Sequence, residues 1–124
     1  MVTGTLGKDY RKGEIIYRQG EVGDCMYVVQ KGEVEVIQRR GEQEFCVAVL
    51  EAGDFFGEMG LFEKHVRTST VRALTGCTVL TIEKRTFLNT VLEDPSMAFR
   101  LMEKMSRRIL DLENALIRMG SAPR

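Results

Sequence analysis

From Gly13 to Ile82 the chain alternates short apolar runs with glycine-marked turns, the glycines falling at 13, 20, 23, 32, 41, 53, 57, 60 and 76. The runs Glu14–Tyr17, Cys25–Val29, Val34–Ile37, Phe45–Leu50, Thr68–Val71 and Cys77–Ile82 are four to six residues long and rich in β-branched or aromatic side chains. Such side chains suit a pleated, half-buried surface. Short strands separated by turn residues at this spacing predict an antiparallel sandwich or roll. Lys31-Gly32 and Arg39–Glu42 read as hairpin turns.

After Ile82 the period changes. Phe87, Leu88, Val91 and Leu92 share one helical face, which predicts a helix of about ten residues. Asp94-Pro95 then supplies a capping side chain and a proline suited to the first helical position. The helix so begun runs to Met119, with Gly120 and Pro123 as stop signals. Its apolar residues Ala98, Met102, Met105, Ile109, Leu112, Leu116 and Met119 are spaced alternately four and three apart, a heptad seam. At about 1.5 Å per residue it spans roughly 36 Å. It either packs along its own roll or pairs with its copy in a second chain. The strict period favours pairing, so a homodimer through those seven residues is expected. The methionines in and beside the seam, Met97, Met102, Met105 and Met119, would make it adaptable.

With 124 residues the chain is long enough for one domain and one sizeable core. Residues 1–12 read as a lead-in, 13–93 as the roll and 94–124 as the C-terminal helix. Eighteen basic side chains balance eighteen acidic ones, which argues against a nucleic-acid coat or a polybasic membrane anchor. Residues 1–62 carry 7 Lys/Arg and 11 Asp/Glu and residues 63–124 the reverse, an asymmetry read as solvated faces. Cys25, Cys46 and Cys77 are odd in number, lie in strand-like runs and form no Cys-x-x-Cys pair. They are expected to be reduced thiols in a cytoplasmic protein. A basic N-terminal segment leading into an apolar run is missing, as is any run of 18 apolar residues, so neither secretion nor membrane spanning is expected. His65 is the single histidine. It cannot alone supply the imidazole ligands of a metal-dependent barrel enzyme, and it sits in no nucleophile motif. No catalysis, metal or cofactor is expected.

The chemistry concentrates in residues 53–73. Gly57 and the short helical segment after it, Glu58–Phe62, expose backbone N–H groups of the kind that hold phosphate. Arg67 adds a fork of charged donors, and Thr68 and Ser69 add hydroxyls. Glu58 is costly beside an anion unless a sugar hydroxyl donates to it and a cation lies near. The stretch reads as an anion cradle.

The run Phe56-Gly57-Glu58-Met59-Gly60-Leu61, the nine-residue step from Glu58 to Arg67, and Arg67-Thr68-Ser69-Thr70-Val71 closely resemble the phosphate-binding cassette of cyclic nucleotide-binding domains. Tyr17–Gly20, Gly23-Asp24, Met26–Val29 and Gly32–Val36 are similar to that family's first strands and turns, so the resemblance spans about residues 13–119. It implies an α+β, mainly β fold: an antiparallel β-roll or jelly roll with a short cassette helix and C-terminal helices, the last one long. It implies a cytosolic sensor holding cAMP or cGMP, with Gly57, Arg67, Thr68 and Ser69 on the cyclic phosphate and Glu58 on the ribose. Phe56, Met59 and Gly60 would supply cassette backbone. Val47 and Phe56 would wall the base, and Arg107 or Arg108 on the long helix could approach it. Family members that read adenine through helix hydroxyls have Ser or Thr where this chain has Leu112, Glu113 and Asn114, with Asn114 a substitute. Thr68 tilts the choice slightly toward cGMP. Two other readings stand beside this one: a roll that lost its ligand and serves as a dimerisation module, and the sensor piece of a DNA-binding regulator without its helix-turn-helix.

Overall fold

The computed structural model describes residues 7–120. The chain divides between Phe87 and Leu88 into two compact units. The first is a roll of ten short strands: β1 Lys8–Tyr10, β2 Ile15–Tyr17, β3 Val22–Gly23, β4 Cys25–Lys31, β5 Glu33–Arg40, β6 Gln43–Glu51, β7 Phe55–Phe56, β8 His65–Val66, β9 Thr70–Ala73 and β10 Cys77–Glu83. One sheet has the order β1-β10-β4-β7, a second β2-β9-β5-β6, and β3 and β8 form a separate ribbon. Every pairing is antiparallel. The mainly β roll with a short cassette helix and two terminal helices is thus the fold that the alternation and the resemblance called for.

Period-two alternation turns one row of each sheet inward. Val29, Val34, Phe56, Val71, Ala73, Cys77 and Val79 form the core between the sheets, with Tyr17, Tyr27, Val36 and Leu50 packed against it. Burial there pushes the Cys77 thiol up from its ordinary range. The alternate residues Met26, Leu80 and Ile82 are buried as well, so the first sheet carries apolar rows on both faces.

Three expectations change. Lys31-Gly32 does not make a hairpin, because β4 and β5 belong to different sheets. Gly32 has φ +79°, and a Cβ there would meet the Gly76 carbonyl oxygen at 2.3 Å, so it turns a tight corner between sheets that only glycine fits. Arg39–Glu42 does close the β5–β6 hairpin, with Arg40 opposite Gln43. Part of the lead-in is sheet, since β1 pairs with β10. Finally, β9 begins at Thr70 rather than at Thr68. The Arg67 backbone is engaged elsewhere: its N–H donates to the Glu21 carbonyl at 2.7 Å and its carbonyl accepts from the Gly20 N–H at 2.8 Å. Residues 1–6 and 121–124, which include Pro123, lie outside the described residues.

Helix α1, Lys84–Glu93, spans the division, and α2, Pro95–Arg118, follows. The Asp94 carboxylate caps α2 by accepting the Ser96 N–H at 3.2 Å. Its hydrogen bonds with Ser96 hold its carboxyl below the usual range. Pro95 stands at the first helical position and Gly120 closes the far end at φ +83°. No residue of α2 is buried, and the seam residues Met102, Ile109, Leu112, Leu116 and Met119 are 56–79% exposed.

Candidate functional site

Gly57 starts the cassette in the left-handed region at φ +73°, where a side chain would be strained and a Cβ would sit 2.8 Å from Arg67 Nη1. A single 3-10 turn, Glu58–Leu61, follows, closed by the Gly60 N–H donating to the Gly57 carbonyl at 3.1 Å. Leu61 is buried and anchors the turn to the roll, whereas Met59 is exposed. Gly60 is buried because the turn lies directly on the start of β4. A Cβ at Gly60 would be 2.8 Å from the Cys25 carbonyl oxygen. Glu58 opens the turn, where an acidic side chain suits the free N–H groups.

Among the described residues Arg67 is the buried polar residue, 4% exposed. Its Nη1 donates to the Gly57 carbonyl at 3.0 Å and its Nη2 to the Cys25 carbonyl at 2.9 Å, with the Cys25 Sγ at 3.9 Å. Its Cζ lies 4.4 Å from the Tyr17 ring centroid and 5.7 Å from that of Tyr27. Among the described residues no carboxylate pairs with it. The cation therefore rests on carbonyl dipoles and ring faces. Of five N–H donors two are committed to carbonyls, so the fork keeps donors to spare.

The residues that build this nest are ones the sequence did not single out: Tyr17, Gly23, Cys25 and Tyr27. The β3–β8 ribbon sets Gly23 opposite His65. A Cβ on Gly23 would fall 2.2 Å from the Arg67 guanidinium. Tyr27 stacks on Phe56 with centroids 5.1 Å apart and planes at 13°, and Tyr17 tilts against both. Burial first, then a hydrogen bond with Cys25, pushes the Tyr27 phenol above its ordinary range, while Arg67 acts in the opposite direction. In sequence the tyrosines are indistinguishable from strand core. Tyr17, Gly23 and Tyr27 fall within the stretches that resemble the family's first strands and turns, but nothing in those stretches marks them as partners of Arg67.

Gly57, Gly60 and Arg67 are thus brought together, with Phe56 in the core beside them. Ser69 is half-buried and Thr68 exposed, directly after Arg67. The Thr68 carbonyl accepts from Gln38 Nε2 at 3.4 Å. Val47 is skipped by the register, in which Val36 faces Ala48 and Ile37 faces Cys46, and is 54% exposed at that bulge. Arg107, Arg108 and Asn114 all lie on α2. A separate concavity of about 540 Å³ lies over Ile15, Arg18, Gln19, Ile37, Arg39 and Arg72. Two of its arginines are already matched, Arg39 to Glu44 at 3.2 Å and Arg72 to Glu35 at 3.1 Å. Among the described residues no group of three His, Cys, Asp or Glu could hold a metal ion, and no helix is long and apolar enough to cross a membrane.

The fold is thus a two-sheet roll with a glycine turn folded over a buried arginine that, among the described residues, pairs with no carboxylate. The chain belongs to the cyclic nucleotide-binding domain family, whose model matches residues 7–94. It is 35% identical over 105 residues to a cAMP-dependent protein kinase regulatory subunit of Schizosaccharomyces pombe, covering 85% of this chain and 24% of that protein. It is likewise 35% identical over 102 residues to the cAMP-activated global transcriptional regulator CRP of Salmonella typhimurium, covering 81% and 49%. The crystal structure of the Thermus thermophilus catabolite activator protein superposes with a TM-score of 0.79 at 27% identity, over 91% of this chain and 54% of that one. The chain spans about a quarter of the length of the first of these curated relatives and about half of the second.

Proposed function

We propose that this chain is a sensor domain that holds cAMP or cGMP in the Gly57–Ser69 cassette and relays its arrival through α2. Arg67 meets the cyclic phosphate, with the Gly57 backbone and the Thr68 and Ser69 hydroxyls as further donors. Glu58 accepts the ribose 2′-hydroxyl. Phe56, Met59 and Gly60 shape the cassette backbone. Val47, Arg107, Arg108 and Asn114 are the proposed contacts to the base.

One observation carries this reading: Arg67 is a buried cation whose partners, among the described residues, are all neutral. Burying a charge without a counter-charge is expensive, and a phosphate oxyanion is the complement that a planar guanidinium fork fits. A roll that had given up its ligand would keep that cost and gain nothing, which disfavours the ligand-free module. The long, exposed heptad seam of α2 supports a homodimer through Ala98, Met102, Met105, Ile109, Leu112, Leu116 and Met119. Ligand would then favour one of two helix packings by making different contacts in each.

Thermal unfolding with each nucleotide tests the proposal. A rise in midpoint with cAMP or cGMP, and none with the corresponding linear 5′-monophosphate at equal concentration, is expected. No rise with either cyclic nucleotide at millimolar concentration contradicts it.

A further inference from the structure

We propose that Tyr17 is a positioning residue for Arg67: its ring is the platform that fixes the plane in which the guanidinium meets a cyclic phosphate. The inference rests on the nucleotide-binding role proposed for Arg67 and deepens it.

The two hydrogen bonds to the Gly57 and Cys25 carbonyls fix the fork at Nη1 and Nη2. Two points leave a planar group one freedom, rotation about the line that joins them. A face contact removes it, and Tyr17 supplies that contact, with Cζ 4.4 Å from its ring centroid. The distance is within the roughly 6 Å over which a ring quadrupole attracts a guanidinium.

The platform also comes from the other side of the roll. Gly57 and Cys25 belong to the cassette turn and to β4 of the first sheet, whereas Tyr17 ends β2 of the second. The arginine is therefore tied to both sheets. Tyr17 is itself braced, with ring centroids 5.5 Å from Tyr27 and 5.8 Å from Phe56, tilted by 47° and 52°. A leucine could fill most of this volume, but it has no negative face. Core packing alone does not call for an aromatic at the position whose ring centroid lies nearest, at 4.4 Å, to a buried guanidinium carbon.

The test compares the full chain with Tyr17→Phe, which keeps the face and removes the hydroxyl, and Tyr17→Leu, which removes the face. Affinity for cAMP and cGMP is measured by calorimetry, and the Arg67 Nε–H resonance is recorded without nucleotide. The ring current of Tyr17 should shift that resonance upfield in the wild type and in Tyr17→Phe, and the shift should vanish in Tyr17→Leu. Tyr17→Phe should bind within about twofold of wild type, and folded Tyr17→Leu about tenfold more weakly. Equal affinity of Tyr17→Leu and wild type overturns the inference, as does a loss in Tyr17→Phe as large as in Tyr17→Leu. A wild-type resonance without an upfield shift overturns it even if Tyr17→Leu does not fold. Wild type that binds neither nucleotide overturns the nucleotide reading instead, and the resonance alone then decides whether Tyr17 holds Arg67.

Discussion

A Cβ placed on Gly23 would lie 2.2 Å from three atoms of the Arg67 guanidinium, so the glycine in β3 and the arginine after β8 occupy one space between them. Gly23→Ala is expected to drive the arginine out of its nest. Nucleotide affinity should fall at least about tenfold, since the donor fork no longer stands where it was. Gly76→Ala is the control, because a Cβ there meets nothing within 4 Å and its backbone is not left-handed. Calorimetric titration of both variants checks this. Unchanged binding by Gly23→Ala would mean that the arginine has room to spare.

The roll should weaken in alkali. Burial chiefly, and a hydrogen bond with Cys25 next, raises Tyr27 above its ordinary value of 10.0, with Arg67 opposing the shift. Tyr10 and Cys77 are also raised, mainly by burial. The folded chain therefore retains protons that the unfolded chain gives up. For Tyr27 that contribution is intact below pH 10 and declines as pH rises beyond it. Urea unfolding across this range should give a falling stability whose slope is shallower in Tyr27→Phe. An identical slope in the variant refutes the assignment to Tyr27.

Much of this was legible in advance, for identifiable reasons. Six strands, β2, β4, β5, β6, β9 and β10, follow from apolar runs between glycines, and α2 follows from the Asp94-Pro95 start, which the Ser96 N–H to Asp94 bond realises. Gly57, Gly60 and Arg67 come together in the structure, and their spacing in sequence is itself the pattern that drew attention to them. Strands as short as β3, β7 and β8, two residues each, have no period to read. Lys31-Gly32 was misread because a glycine turn between two apolar runs looks the same whether the strands pair or part into separate sheets. Tyr17 and Cys25 escaped for a related reason: one contributes a ring face and the other a backbone carbonyl, and neither contribution marks the sequence.

Core and seam should respond to truncation in opposite ways. Ile82 is 1% exposed, so Ile82→Ala should cost about 3 kcal/mol in denaturant unfolding and Ile82→Val about 1 kcal/mol. Ile109 is 59% exposed, and Ile109→Glu should leave the unfolding of the roll nearly unchanged while shifting the chain to monomer in sedimentation. Unaltered sedimentation, or a wild type that is already monomeric, would remove α2 as a pairing surface.

The most direct measurement is calorimetric titration of cAMP and cGMP into wild type and Arg67→Gln side by side. A cassette built around that buried guanidinium should bind at least one of the two in wild type and lose about a hundredfold or more in Arg67→Gln, the neutral side chain offering no charge to the phosphate. Equal heats from the two proteins, or none from wild type, would contradict the account.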